Sequence, residues 1–328
     1  MTPRDRVLAT LRHKLPDRIP RFEIWIDALV EELGRSDAAE AYVHFGQDGV
    51  MMPTRIPKGS NAWRDGIDEW GRVWKDGTYI SGVIDTEADL ARYCPHPSLL
   101  EEVFDKAEIE DVRRRYPDHC LIYGSHIGPF TAGYMAMGLE RFSLQLIEDP
   151  SLVRRLLDHR TEWCVAAFRR AVALGAEVLI LGDDAAHHSG PWVSPKTWRD
   201  LVLPLHQEIV GAVEVPVIWH SDGAAAGLLP FAVEAGFAGF HGLEPAAGND
   251  LAAAKREFGR DLVLIGNIDV NVLMGSDLSL VRGEVSRTIR EGSPGGSFMV
   301  ATCNSIFKGM NPQAVEAMFG WEKALVEE

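Results

Sequence analysis

No stretch of the 328-residue chain reaches the ~18 uncharged apolar residues needed to cross a bilayer. Its opening, MTPRDRVLATLRHKLPDRIP, is charged throughout and lacks the apolar core of a secretory leader. A cytoplasmic protein is the expectation. Cysteine is scarce: Cys94, Cys120, Cys164 and Cys303 are the four, none in a CxxC pair, which excludes a disulfide framework. Positive charge is also short. With 33 Lys and Arg against 48 Asp and Glu, the net charge is -15, so nucleic acid and anionic membrane surfaces are excluded as main partners. Without a Pro/Gly/Ser linker or a low-complexity tract, the chain reads as one unit.

What is present is a rhythm. Short apolar runs end in polar residues or glycine: IPRFEIWI (19–26), HCLIYGSHIG (119–128), EVLILGDDA (177–185), VPVIWHSDG (215–223), FAGFHGLE (237–244), LVLIGNID (262–269) and GSFMVATC (296–303). Nearly continuous apolar strands are buried on both faces, as in parallel sheets. Helical stretches alternate with them: 149–175, a stretch opened by Ser194 and Pro195, then 224–235, 248–259, 277–291 and 312–326. The order predicts an α/β fold, a single (β/α)8 barrel. Seven strands are legible, and 40–118, rich in Trp and charge, reads as an N-terminal extension or lid over the barrel mouth.

In such a barrel the working residues stand at the carboxyl ends of the strands. That brings together His126, then Asp183 and Asp184, His220 and Asp222, His241 and Glu244, and Cys303. Residues i and i+2 of a strand share a face, so His220 and Asp222 look into the mouth together. An imidazole, one or two carboxylates and a thiolate make a tetrahedral zinc set with a position open for substrate. His220 and Cys303, with Asp222 or Glu244 as the third, are the candidate metal ligands. Asp183, Asp184 and His126 are the candidate acids and bases. His187 and His188, in the loop after GDDAA, and Trp25 are the candidate substrate contacts. Phe22, Trp63, Trp70 and Trp74 read as core or lid packing.

The stretch HSDGAAAGLLPFAVEAGFAGFHGLEPAAGNDLAAAKREFGRDLVLIGNID, with GDDAAHHSGPWVSPKTWRDLVLP before it and ATCNSIFKGMNPQAVEAMF after it, resembles the uroporphyrinogen decarboxylase superfamily. RDRVLATLRHKLPDRIPRFE extends the resemblance over nearly the whole chain. It implies a (β/α)8 barrel and either decarboxylation of a porphyrinogen or other acid, or methyl transfer linked to a corrinoid. The decarboxylases carry a Met-Arg-Gln-Ala-Gly-Arg motif after the first strand. Here RFEIWIDALVEELG stands instead, which removes the bidentate arginine grip on propionates.

The methyltransferase branch holds zinc with His-x-Cys and a late Cys. By resemblance His220 and Cys303 match, while Asp222 replaces the first Cys. That implies a harder Lewis acid and an oxygen leaving group, hence demethylation of a methyl ether. The expected cofactors are zinc and a corrinoid (cobalamin) acceptor. A carrier protein would bring the corrinoid, because the chain has no Asp-x-His-x-x-Gly motif of its own. The expected partners are thus a small molecule and that carrier, and the reading is compatible with a homodimer.

Overall fold

The computed structural model describes residues 1–26, 37–57, 60, 64–125 and 127–327. Seven strands form one parallel sheet in sequential order: β1 (Gly49–Met51), β2 (Cys120–Ser125), β3 (Val178–Gly182), β4 (Val217–Ser221), β5 (Gly239–Gly242), β6 (Val263–Ile265) and β7 (Phe298–Met299). The extended segment 20–26 meets both edges of this sheet. The Phe22 amide donates to the Val300 carbonyl at 3.0 Å and the Val300 amide to that of Pro20 at 2.9 Å, while the Asp48 amide donates to Arg21 at 2.9 Å. The sheet therefore curls into a barrel-like α/β fold.

Side-chain parity follows from the strand period of two. Val178, Ile180, Ile218, Val263, Ile265, Met299 and Ala301 belong to one buried cluster with Phe22 and Ile24, inside the curl. Leu179, Leu181, Val217, Trp219, Phe240, Leu264 and Val300 belong to the other, between sheet and helices. Both clusters exclude water, which is why these strands are apolar on consecutive residues.

The helices largely follow their sequence signals. Asp149 caps Pro150–Ala173 by accepting from the Leu152 amide at 3.0 Å, and Ser194 caps Pro195–Leu201 by accepting from Thr197 at 3.0 Å. The expected continuation of the latter breaks: a second helix runs Leu203–Gly211. Pro204 has no N–H for the turn before it.

The stretch 40–118 divides. Its Gly49–Met51 is the barrel strand β1, too short at three residues to stand out as an apolar run. Farther on, Gly66–Ile67, Arg72–Lys75 and Thr78–Gly82 make a separate antiparallel sheet. That sheet lies against helix Pro129–Met137: the Tyr79 hydroxyl donates to the Met135 carbonyl at 3.0 Å and the Ile84 amide to Ala136 at 2.9 Å. Among the described residues no helix is long and apolar enough to cross a membrane.

Candidate metal centre

The inward parity of β3 and β4 continues past their ends. Ile180 and Gly182 lead to Asp184, and Ile218 and His220 lead to Asp222. These three side chains converge. One oxygen of Asp184, one ring nitrogen of His220 and one oxygen of Asp222 all lie within 4.8 Å of one another. His220 Nε2 is 3.4 Å from Asp222 Oδ1 and 3.9 Å from Asp184 Oδ1.

The surrounding backbone holds the group in place. The Asp222 amide donates to Asp184 Oδ1 at 3.0 Å, the Asn304 amide group donates to Asp222 Oδ2 at 2.8 Å, and the Asp184 amide donates to Thr131 Oγ1 at 2.7 Å. Gly223 turns the chain at φ +81°, where a Cβ would stand 2.8 Å from the carbonyls of Ala186 and His187. Only glycine fits both the angle and the space.

The electrostatics are those of an uncompensated anionic site. Burial, then the charges of Asp184 and Glu244, push the Asp222 carboxyl well above its usual range. Burial pulls the His220 imidazole down. Asp222 Oδ1 is buried with no hydrogen-bond partner. Among the described residues no Lys or Arg pairs with Asp184 or Asp222, whose one cationic neighbour is His220 when protonated. A bare buried carboxylate oxygen facing an imidazole nitrogen and a second carboxylate suits a divalent cation.

The other sequence candidates are placed as follows. Asp183 has the opposite parity and is fully buried. Its oxygens accept from the Thr131 amide at 2.7 Å, the Phe130 amide at 3.2 Å and His206 Nε2 at 2.8 Å. It caps helix Pro129–Met137 from outside the curl, so both its oxygens serve the scaffold. His206 was not legible as a partner, because LPLHQEIV marks a helix and gives no sign of what its His faces. Cys303 is buried and lies outside the three-residue group. Burial, and then Glu244, Asp269 and Asp222, raise its thiol pKa.

Glu244 is likewise outside the group, close enough for its charge to act on His220 and Asp222. His187 and His188 are exposed, and the His187 ring lies 4.9 Å from that of Trp192. His126 and Trp63 lie outside the described residues.

Trp25 is buried with its ring edge-on to His220, centroids 5.3 Å apart. On it opens a cavity of about 690 Å³ that Met51, Met52, Val112, Tyr123 and Gly124 also line. The cavity's lining does not include the three candidate ligands; the Trp25 indole is the contact between cavity and His220. At Gly124 a Cβ would stand 3.3 Å from the indole, so glycine gives that ring its place.

Residues 69–324 match the family model for uroporphyrinogen decarboxylase (URO-D). A methylated-thiol–coenzyme M methyltransferase of Methanosarcina mazei is 30% identical over 51% of this chain and 44% of its own length. The methylcobamide:CoM methyltransferase MtaA of Methanosarcina barkeri is 28% identical over 55% and 50%. A uroporphyrinogen decarboxylase of Microcystis aeruginosa is 26% identical over 68% and 64%. The matched stretches thus span about half to two thirds of these relatives. The solved structure of a methyltransferase from Methanosarcina mazei superposes with a TM-score of 0.79 at 19% identity, covering 99% of both chains, which shows the shared fold.

Proposed function

This chain belongs to the uroporphyrinogen decarboxylase family, standing closer to its corrinoid-dependent methyltransferases than to its decarboxylases, and from that premise we propose that it is a metal-dependent methyltransferase. It moves a methyl group from a small methyl ether to a corrinoid acceptor carried by a separate protein. The scaffold is a (β/α)8 barrel in which segment 20–26 is the remaining strand between β7 and β1.

The observation that carries the proposal is the group Asp184, His220 and Asp222, with the unpartnered Asp222 Oδ1 at its centre. These residues would hold zinc, and a zinc ion there supplies Lewis acidity that lowers the cost of releasing an alkoxide or phenolate. Two carboxylates in place of thiolates favour an oxygen donor over a thioether. His220 and the two aspartates fix the position of the departing oxygen. Trp25, Met51, Met52 and Tyr123 would seat the apolar body of the substrate, in a cavity whose lining also carries Arg55, Arg115, Asp105, Glu108 and Asp111. With a corrinoid as the methyl acceptor, the methyl carbon would leave the ether oxygen and the bonding pair would stay on that oxygen as the alkoxide or phenolate.

The decarboxylase alternative calls for arginines at the mouth. Arg21, the arginine within the extended segment 20–26, donates instead to the backbone carbonyls of Phe319 at 3.2 Å and Phe45 at 3.5 Å. The test is zinc-loaded protein with a methoxyarene and cob(I)alamin, read by the appearance of methylcobalamin absorbance. Methyl transfer that His220→Ala abolishes supports the proposal. Transfer from methylated thiols alone overturns the ether assignment, and release of CO₂ from a porphyrinogen overturns the methyltransferase.

A further inference from the structure

His220 engages a second histidine with the nitrogen that does not face the carboxylates. β4 and β5 are adjacent parallel strands in which His220 and His241 are register partners, and both continue the inward parity of Ile218 and Gly239. Their rings are 4.9 Å apart, with Nδ1 of His220 2.8 Å from Nδ1 of His241. At that separation one proton lies between the two nitrogens, and one ring donates while the other accepts.

The direction is set by the far side of the His220 ring. If His220 binds a cation through Nε2, which faces Asp222 and Asp184, Nε2 carries no proton and Nδ1 must carry it. His241 then has to accept at Nδ1 and hold its own proton on Nε2. Among the described residues His241 Nε2 is buried with no hydrogen-bond partner, so the 2.8 Å contact with His220 Nδ1 is the side-chain hydrogen bond that holds the His241 ring. His241 is wholly buried, so it touches neither solvent nor substrate.

We infer that His241 is a positioning residue: by accepting the His220 Nδ1 proton at its own Nδ1, it holds His220 in the tautomer whose Nε2 is free to bind the cation between Asp184 and Asp222. The inference rests on the metal reading above and adds to it a partner that sets ligand orientation and basicity, as hydrogen-bonded second groups do for metal-bound imidazoles.

Zinc ion alone is the probe. Competition with a chromophoric chelator gives zinc affinity for the wild type and for His241→Leu, His241→Asn and His220→Ala, with thermal unfolding of each metal-free protein recorded alongside. His241→Leu is expected to weaken zinc binding by about 10–100-fold. His241→Asn, whose Oδ1 falls where Nδ1 stood, is expected to recover most of that loss. Long-range ¹H–¹⁵N spectra of the zinc-loaded wild type need no substitution, and should show the proton on Nδ1 of His220 and on Nε2 of His241. Zinc binding that His220→Ala removes but His241→Leu leaves unchanged overturns the role of His241 alone. So does a loaded spectrum with the proton on His241 Nδ1. A wild type that takes up no zinc overturns the metal reading and this inference with it.

Discussion

Two aspartates, at opposite ends of the same curled sheet, are treated in opposite ways. Asp48, at the amino end of β1, is wholly buried and surrounded by cationic and backbone donors. Arg6 binds its Oδ1, Arg18 reaches it at 2.9 and 3.0 Å, and the Arg21 amide donates at 2.9 Å. Asp222, just beyond the carboxyl end of β4, has Asp184 and Glu244 as charged neighbours and one bare oxygen. The base of the barrel is closed by its own charges, and the mouth lacks a positive charge that the described residues do not supply. A carboxylate oxygen buried without a partner is costly unless a proton or a cation joins it, which sets Asp222 apart from the closed ion cluster around Asp48.

Removing the satisfied partner is expected to have the largest effect. Asp48→Ala removes the buried carboxylate that Arg6 and Arg18 share, leaving Arg6 to Asp17 and Arg18 to the Ile19 carbonyl, and should cost about 3–5 kcal/mol in urea unfolding, with zinc affinity unchanged. Glu23 comes next. Burial lifts its carboxyl to about 7 despite three hydrogen bonds from Thr302 and Ile24, so the native state holds a proton that the unfolded chain releases. Stability from this group is present below about pH 4.5 and is lost as pH rises to about 7, by about 3 kcal/mol in all. Unfolding midpoints measured across that range should fall with pH in the wild type and flatten in Glu23→Gln.

The adjacent pair Asp183 and Asp184 sharpens the contrast within two residues. Asp183→Ala should cost about 2–3 kcal/mol by orphaning two amides and His206. Asp184→Ala should leave stability within about 1 kcal/mol and remove zinc binding. Asp222→Asn is predicted to stabilise the metal-free protein above the ordinary carboxylate range, because a protonation demand disappears, and to weaken zinc binding; unfolding with and without zinc should reverse the order of variant and wild type. The smallest effect belongs to the exposed His188, whose change to Ala should move stability by less than about 0.5 kcal/mol.

Most of the barrel was legible because parallel strands buried on both faces read as apolar runs, and six of the seven runs contain sheet strands while the first is the segment that meets both edges. β1 was not legible, since the three residues of GVM, between Asp48 and Met52-Pro53, are too few to carry a periodic signal. Of the site, His220 with Asp222 followed from strand parity. The same parity separates Asp183 from Asp184, because Ile180 and Gly182 lead inward to Asp184 and Leu181 leads outward to Asp183. Spacing did not show that Asp184, rather than Cys303, stands within 4.8 Å of His220 and Asp222, for convergence at strand ends depends on how far each strand reaches. The partnership of His206 with Asp183 joins a helix to a strand end 23 residues away, and no local pattern encodes it.

The central claim is that Asp184, His220 and Asp222 hold a metal ion. The direct measurement is elemental analysis of untagged protein purified without chelator and then equilibrated with zinc, with His220→Ala and Cys303→Ser beside it. About one zinc per chain, lost in His220→Ala and kept in Cys303→Ser, is the predicted result. A wild type without metal after zinc is supplied, or zinc that depends on Cys303 and not on His220, would contradict it.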